Sequence, residues 1–147
     1  VRKFVLLNAL LAIKQGEYDK AILHCTQTLQ KYNYNIKSLL YLGISFLHKN
    51  EFAKSFFYLN LAKEQAPRDL NIHFALLENR LMAGQIDHAH DIIQKIFDTH
   101  PLGRIQDRIK FMLNDPMAQP LGLKKFASAI AEESMMFSQN IESMSPN

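Results

Sequence analysis

Apolar side chains recur along this chain with the spacing of a helix. Val5, Ala9 and Ala12 share one helical face, as do Leu39, Leu42, Gly43 and Phe46, then Phe52, Phe56, Leu59 and Ala62, and finally Ile86, Ala89, Ile93, Ile96 and Phe97. Between these stretches lie residues that end a helix: Gln15-Gly16, Asn33-Tyr34-Asn35, Lys49-Asn50, Ala66-Pro67, Ala83-Gly84 and His100-Pro101. Gly and Asn accept the left-handed conformation at a helix end, and proline stops the helix before it. The pattern predicts six helices, over 2–15, 18–31, 36–49, 52–65, 70–83 and 86–99, and no strand.

The helix ends are periodic. Gly16, Asn50 and Gly84 are spaced 34 residues apart, each is followed two positions later by Tyr18, Phe52 or Ile86, and each is followed after five by a small residue, Ala21, Ser55 or Ala89. A period of this length signals a stacked helical repeat, in which no unit buries its apolar face alone and neighbours build one continuous core.

Beyond the sixth helix, Ile105, Ile109, Met112 and Leu113 form an apolar face opposite Arg104, Asp107, Arg108 and Lys110, which predicts a capping helix over 104–113. Pro116, Pro120 and Gly122 predict a loop over 114–122. Leu123, Phe126, Ala127, Ile130, Met135 and Phe137 then mark a further helix, expected to dock on the repeats, and the polar residues from Ser138 to Asn147 are expected to fray.

These residues resemble the tetratricopeptide repeats. The first repeat, 2–35, matches that family's pattern at Ala9, Gly16, Tyr18, Ala21, Cys25 and Asn33; the second, 36–69, at Leu39, Leu42, Gly43, Phe46, Phe52, Ser55, Leu59, Ala62 and Pro67. The third, 70–103, keeps Gly84, Ile86, Ala89, Ile93, Ile96 and Pro101. It departs with Leu77 at a small-residue position and with His73 and Arg80 where large apolar side chains are usual, so its first helix is expected to sit further from its partner. The resemblance implies an all-α, right-handed superhelical array of hairpins, here with a C-terminal helical extension, and a concave surface for a partner.

In that register the concave surface takes Lys3, Leu6, Leu10, Ile13 and Lys14 from the first repeat, and Lys37, Leu40, Tyr41, Ile44, Leu47 and His48 from the second. Asn71, Phe74, Glu78, Leu81 and Met82 come from the third. Family members that grip the acidic tails of heat-shock chaperones do so with a basic clamp. The matching positions here are Leu6, Leu10, Tyr41, Asn71 and Ala75, so that activity is not carried over. An apolar groove suits an amphipathic helix or an extended peptide with buried anchors. The same residues also fit a second reading, as core between helices or as a surface covered by the chain's own C-terminal helix.

Composition narrows the function classes. At 147 residues, 48% hydrophobic, the chain fits one domain with a sizeable core. Its net charge is +3 and its pI near 9.0, yet the basic residues are scattered and interleaved with acids, as in Glu17-Tyr18-Asp19-Lys20, whereas nucleic-acid binding needs a clustered stripe. The longest apolar stretch, Phe4 to Ile13, is too short to span a bilayer, and a cytoplasmic location is expected. The chain begins with Val1 and lacks a Ser, Thr or Asp cap on its first helix, so an upstream signal or anchor stays open.

No residue pattern for catalysis emerges. Asp87, His90 and Asp91 share a helix face but supply three ligands at most, and His88 points elsewhere, so no metal or other cofactor is expected. Cys25 reads as a small buried hydrophobe, since adjacent His24 faces another side of the helix. Phosphate loops, serine elbows and paired-cysteine sites are missing, which argues against an enzyme. Met112, Met117, Met135, Met136 and Met144 read as gap fillers.

The expected function is a non-catalytic adaptor, scaffold or chaperone that binds a protein or peptide. A loose resemblance to the type III secretion chaperones that shield translocator proteins gives one alternative. Self-assembly through poorly capped ends or the Phe56, Phe57 and Tyr58 region, giving a homo-oligomer, is another.

Overall fold

In the computed structural model, residues 2–114 are described, with side chains from 6 to 111. Seven helices follow one another: α1 (Arg2–Lys14), α2 (Tyr18–Lys31), α3 (Ile36–His48), α4 (Phe52–Gln65), α5 (Leu70–Met82), α6 (Ile86–Thr99) and α7 (Leu102–Asn114). The first six end within one residue of the bounds that spacing predicts, and no strand occurs among the described residues. Of the loop expected over 114–122, Asn114 instead ends α7, since no proline interrupts the helix before Pro116; the rest of that loop and the helix expected from Leu123 lie outside the described residues.

Local chemistry makes the reversals identical. Gly16, Asn50 and Gly84 have φ of 78°, 61° and 77°, the left-handed region that Gly adopts freely and Asn at modest cost. Each closes the preceding helix with the same pair of bonds. Glu17 N donates to Ala12 O at 2.8 Å and Gly16 N to Ile13 O at 3.0 Å; Glu51 and Asn50 repeat this on Phe46 and Leu47, and Gln85 and Gly84 on Arg80 and Leu81. This is the Schellman motif, which satisfies carbonyls that would otherwise lack partners. The turns between repeats are capped from the other side. Asn35 Oδ1 accepts from Ser38 N and Asp69 Oδ1 from Asn71 N, both at 2.8 Å, fixing where α3 and α5 begin.

The hairpins α1–α2, α3–α4 and α5–α6 stack in order, with α2 on α3 and α4 on α5; α1 also meets α3, and α3 meets α5, so the first helices lie side by side. One core runs through the first two repeats and into the third, around Ala9, Ala21, Cys25, Leu39, Leu42, Leu59, Ala62 and Ile72. A second joins Leu70, Phe74, Leu77, Ala89 and Ile96 to Ile105 and Ile109, so α7 buries its apolar face against the third repeat.

Close approach is tightest in the second hairpin, where a Cβ on Gly43 would stand 2.5 Å from Leu59 Cδ2 and 2.6 Å from its Cγ. Leu77 holds the equivalent place in α5, and the α5–α6 hairpin is accordingly less extensive than α3–α4. Gly43→Ala is expected to lower stability by about 1–3 kcal/mol in thermal melts, although alanine favours a helix over glycine by about 1 kcal/mol. A variant melting at or above the parent would show that the hairpin is not this tight.

Candidate peptide-binding face

The expected concave-face residues lie on three side-by-side first helices, α1, α3 and α5, with differing access to solvent. Leu6, Leu10, Asn71, Leu81 and Met82 are half-buried, and Lys14, Lys37 and His48 are exposed. Ile13, Leu40, Tyr41, Ile44, Leu47, Phe74 and Glu78 are buried. Lys3 sits in α1 with its side chain outside the described set. The apolar middle of the face is therefore closed to solvent, a state that helical spacing alone left open.

His48 and Lys49 end α3 against the preceding repeat. The His48 ring stacks on Tyr18, centroids 5.0 Å apart and planes 12° from parallel, and burial of that side lowers its pKa while the other side stays open. Lys49 pairs with Asp19 of α2 and lies 3.9 Å from Glu51. These groups hold the second repeat on the first at the surface, where each pair contributes little alone.

Polar side chains play that part between the second and third repeats, inside the protein. Asn79 is fully buried; its Nδ2 donates to Phe52 O at 3.0 Å, and its Oδ1 accepts from Arg80 Nε and Nη2 at 2.9 and 2.6 Å. The Arg80 guanidinium lies 3.9 Å from the Phe56 ring centroid, and Phe56 meets the His88 ring edge-on. His73 Nε2 donates to Pro67 O at 2.6 Å, and His100 Nε2 to Arg68 O at 2.8 Å, while Arg68 Nη2 donates to Thr99 O at 3.0 Å. The unusual residues of the third repeat thus clasp α4, α5 and α6. Sequence reading missed Asn79; the available signal was its place one repeat after Ser45, itself fully buried.

The chemistry of the remaining candidates is quiet. Burial pushes the Cys25 thiol up to about 12, so it stays protonated and unreactive near neutral pH. His90, Asp87 and Asp91 are exposed around Ala89, and among the described residues no three His, Cys, Asp or Glu side chains converge as metal ligands. No described helix is long and apolar enough to cross a membrane.

The architecture defines an all-α helical repeat array. No protein-family model matches the chain. Among solved structures it is similar to MamA MSR-1 C2, a tetratricopeptide-containing protein, with a TM-score of 0.58 over 90% of this chain and 98% of that one. At 16% identity the likeness is one of fold.

The buried clasp should respond to pH. Desolvation lowers the His73 pKa, and nearby His100, Lys95 and Lys63 lower it further against the opposing bond to Pro67. A histidine whose folded pKa lies below its unfolded value of about 6.5 favours the folded state when neutral, so its contribution is complete above that value and is lost as pH falls through the folded pKa. The melting temperature should therefore drop between about pH 7.5 and about pH 5.5, and His73→Gln, which keeps a donor without a titrating ring, should flatten the drop. Stability that rises on acidification would contradict this.

Proposed function

We propose that this chain is a non-catalytic protein-interaction module that holds an amphipathic helix or extended peptide against its concave face. The side-by-side packing of α1, α3 and α5, one first helix from each repeat, supports the reading; of the expected anchors on them Leu6 and Leu10 stay half-buried, while Leu40, Ile44 and Phe74 are buried. A helical-repeat fold supplies such an extended surface and adds no chemistry of its own. With Leu6, Leu10, Tyr41, Asn71 and Ala75 at the places where a carboxylate clamp needs charge, recognition rests on apolar anchors.

A second reading, self-association, is favoured by an exposed apolar side of the first repeat. Tyr41 and Ser45 of α3 are buried toward α2, Tyr41 near Cys25, and one repeat later Ala75 and Asn79 of α5 are buried toward α4. One repeat earlier the same places hold Leu7 and Leu11, which are 47% and 40% exposed. They present an apolar stacking face to solvent. Phe57 is exposed as well, beside half-buried Phe56 and Tyr58.

Affinity capture with the intact chain separates the readings. Buried apolar anchors contribute about 1.5–3 kcal/mol each, while exposed ion pairs contribute less than about 1. A groove partner should survive washing at about 1 M salt. It should weaken about tenfold or more for Leu6→Ala with Leu10→Ala, at unchanged helix content. A partner shed by salt and indifferent to both leucines would contradict the apolar groove. A concentration-dependent oligomer in light scattering, abolished by Leu7→Glu with Leu11→Glu, would favour self-association instead.

A further inference from the structure

We propose that the joint between the second and third repeats is an acid-operated latch: protonation at His73 and His100 parts α5, α6 and α7 from α4 as one body while the first two repeats stay stacked. The opening is confined to one joint and governed by one pair of side chains.

Both histidines hold the connector between α4 and α5. His73 Nε2 donates to Pro67 O at 2.6 Å and His100 Nε2 to Arg68 O at 2.8 Å, so consecutive carbonyls of one turn are bound by a ring from α5 and a ring from the end of α6. The rings meet edge-on with centroids 6.1 Å apart, and the two residues are 3% and 7% exposed. One repeat earlier the places of His73 and His100 hold Leu39 and Ala66, which do not titrate. The histidine of that first joint, His48, is exposed and stacks on Tyr18 at the surface, where water solvates a charge.

The closed joint takes one proton more readily than two. With the His100 ring neutral, its Nδ1 and Lys95 O, 2.9 and 2.7 Å from Thr99 Oγ1, compete for one hydroxyl hydrogen; a proton on Nδ1 lets both contacts become bonds. A second proton, on His73, is opposed by desolvation and then by the charges of His100, Lys95 of α6 and Lys63 of α4, against the bond to Pro67 O. In the connector Arg68 adds a further cation, its guanidinium on Thr99 O, while the acid beside it, Asp69, is bonded to Asn71 N. Parting α5 from α4 returns the His73 ring to water, where it binds that proton, so acid favours the open joint.

The apolar core is divided at the same place. Ile72, Ala75 and Leu76 of α5 lie in the core of the first two repeats, whereas Leu70, Phe74 and Leu77 join Ala89 and Ile96 of α6 to Ile105 and Ile109 of α7. Half-buried Ile92 packs against both. The third repeat with α7 thus keeps a core of its own when α5 leaves α4, which makes it a unit that can open without the rest unfolding. Because α3 and α5 lie side by side, the opening also divides the face they share.

Hydrogen exchange of the full chain, resolved by residue and corrected for the intrinsic rate at each pH, tests this. Between about pH 7.5 and about pH 5.5 the protection of amides in α5, α6 and α7 should fall about three- to tenfold relative to those in α2 and α3. His73→Leu with His100→Ala, which gives the second joint the residues of the first, should abolish that difference, and His48→Gln should leave it unchanged. An equal fall in every helix would overturn the proposal, as would an acid response that the double variant retains or that His48→Gln removes. If the double variant fails to fold, His73→Gln measured in the same way decides: a difference below about twofold supports the latch, and one as large as in the parent overturns it.

Discussion

The left-handed reversal after each first helix is the constraint on which the rest of this structure depends. A residue at positive φ, with two backbone bonds closed around it, sends the chain back along its own helix in the same way at Gly16, Asn50 and Gly84. Because the reversal repeats, so does the register of the following helix, and Ala21, Ser55 and Ala89 arrive at buried places five residues later. Small residues then allow the helices to approach, and the approach lets adjacent hairpins share a core. Asn50 shows that the constraint is conformational and does not require glycine as such: asparagine reaches the same region at φ 61°.

Repetition of geometry leaves room for different ways of holding neighbours together. The first two repeats share an apolar core reinforced at the surface by Tyr18 with His48 and Asp19 with Lys49. The third repeat sets His73 and Arg80 where the second has Leu39 and Phe46, and Asn79 where it has Ser45, and a buried polar group is tolerable only when its bonds are made. They are made here, to Phe52 O, to Pro67 O and within the Asn79–Arg80 pair, with the guanidinium set over Phe56. Such a joint depends on geometry and protonation more than an apolar one does.

What could be read from residues alone follows from the range of the interactions involved. Helix positions and ends were legible because glycine, asparagine and proline act within a few residues of themselves, and the one-repeat interval tied those local signals into an array. The looser third hairpin was legible too, from Leu77 in place of a small residue. Asn79 was not, since its role exists only when α5 lies against Phe52 of another helix. Nor was the burial of Leu40, Ile44 and Leu47: apolar positions three and four residues apart mark one helical stripe, but whether water reaches it depends on how other helices pack. Leu7 and Leu11 show the converse, because only comparison with the buried places one and two repeats later reveals that these leucines are exposed where their counterparts are buried.

The central claim is that stability is built by stacking, strongest where a hairpin has repeats on both sides. Native-state hydrogen exchange, resolved by residue, tests it most directly. Amides of α3 and α4 should exchange slowest, with those of α1 and of α6 opening at lower free energy, and Glu17, Glu51 and Gln85, the amides that close the reversals, should be protected together with the hairpins they join. Uniform protection across the helices, or slowest exchange at the ends of the array, would contradict the account.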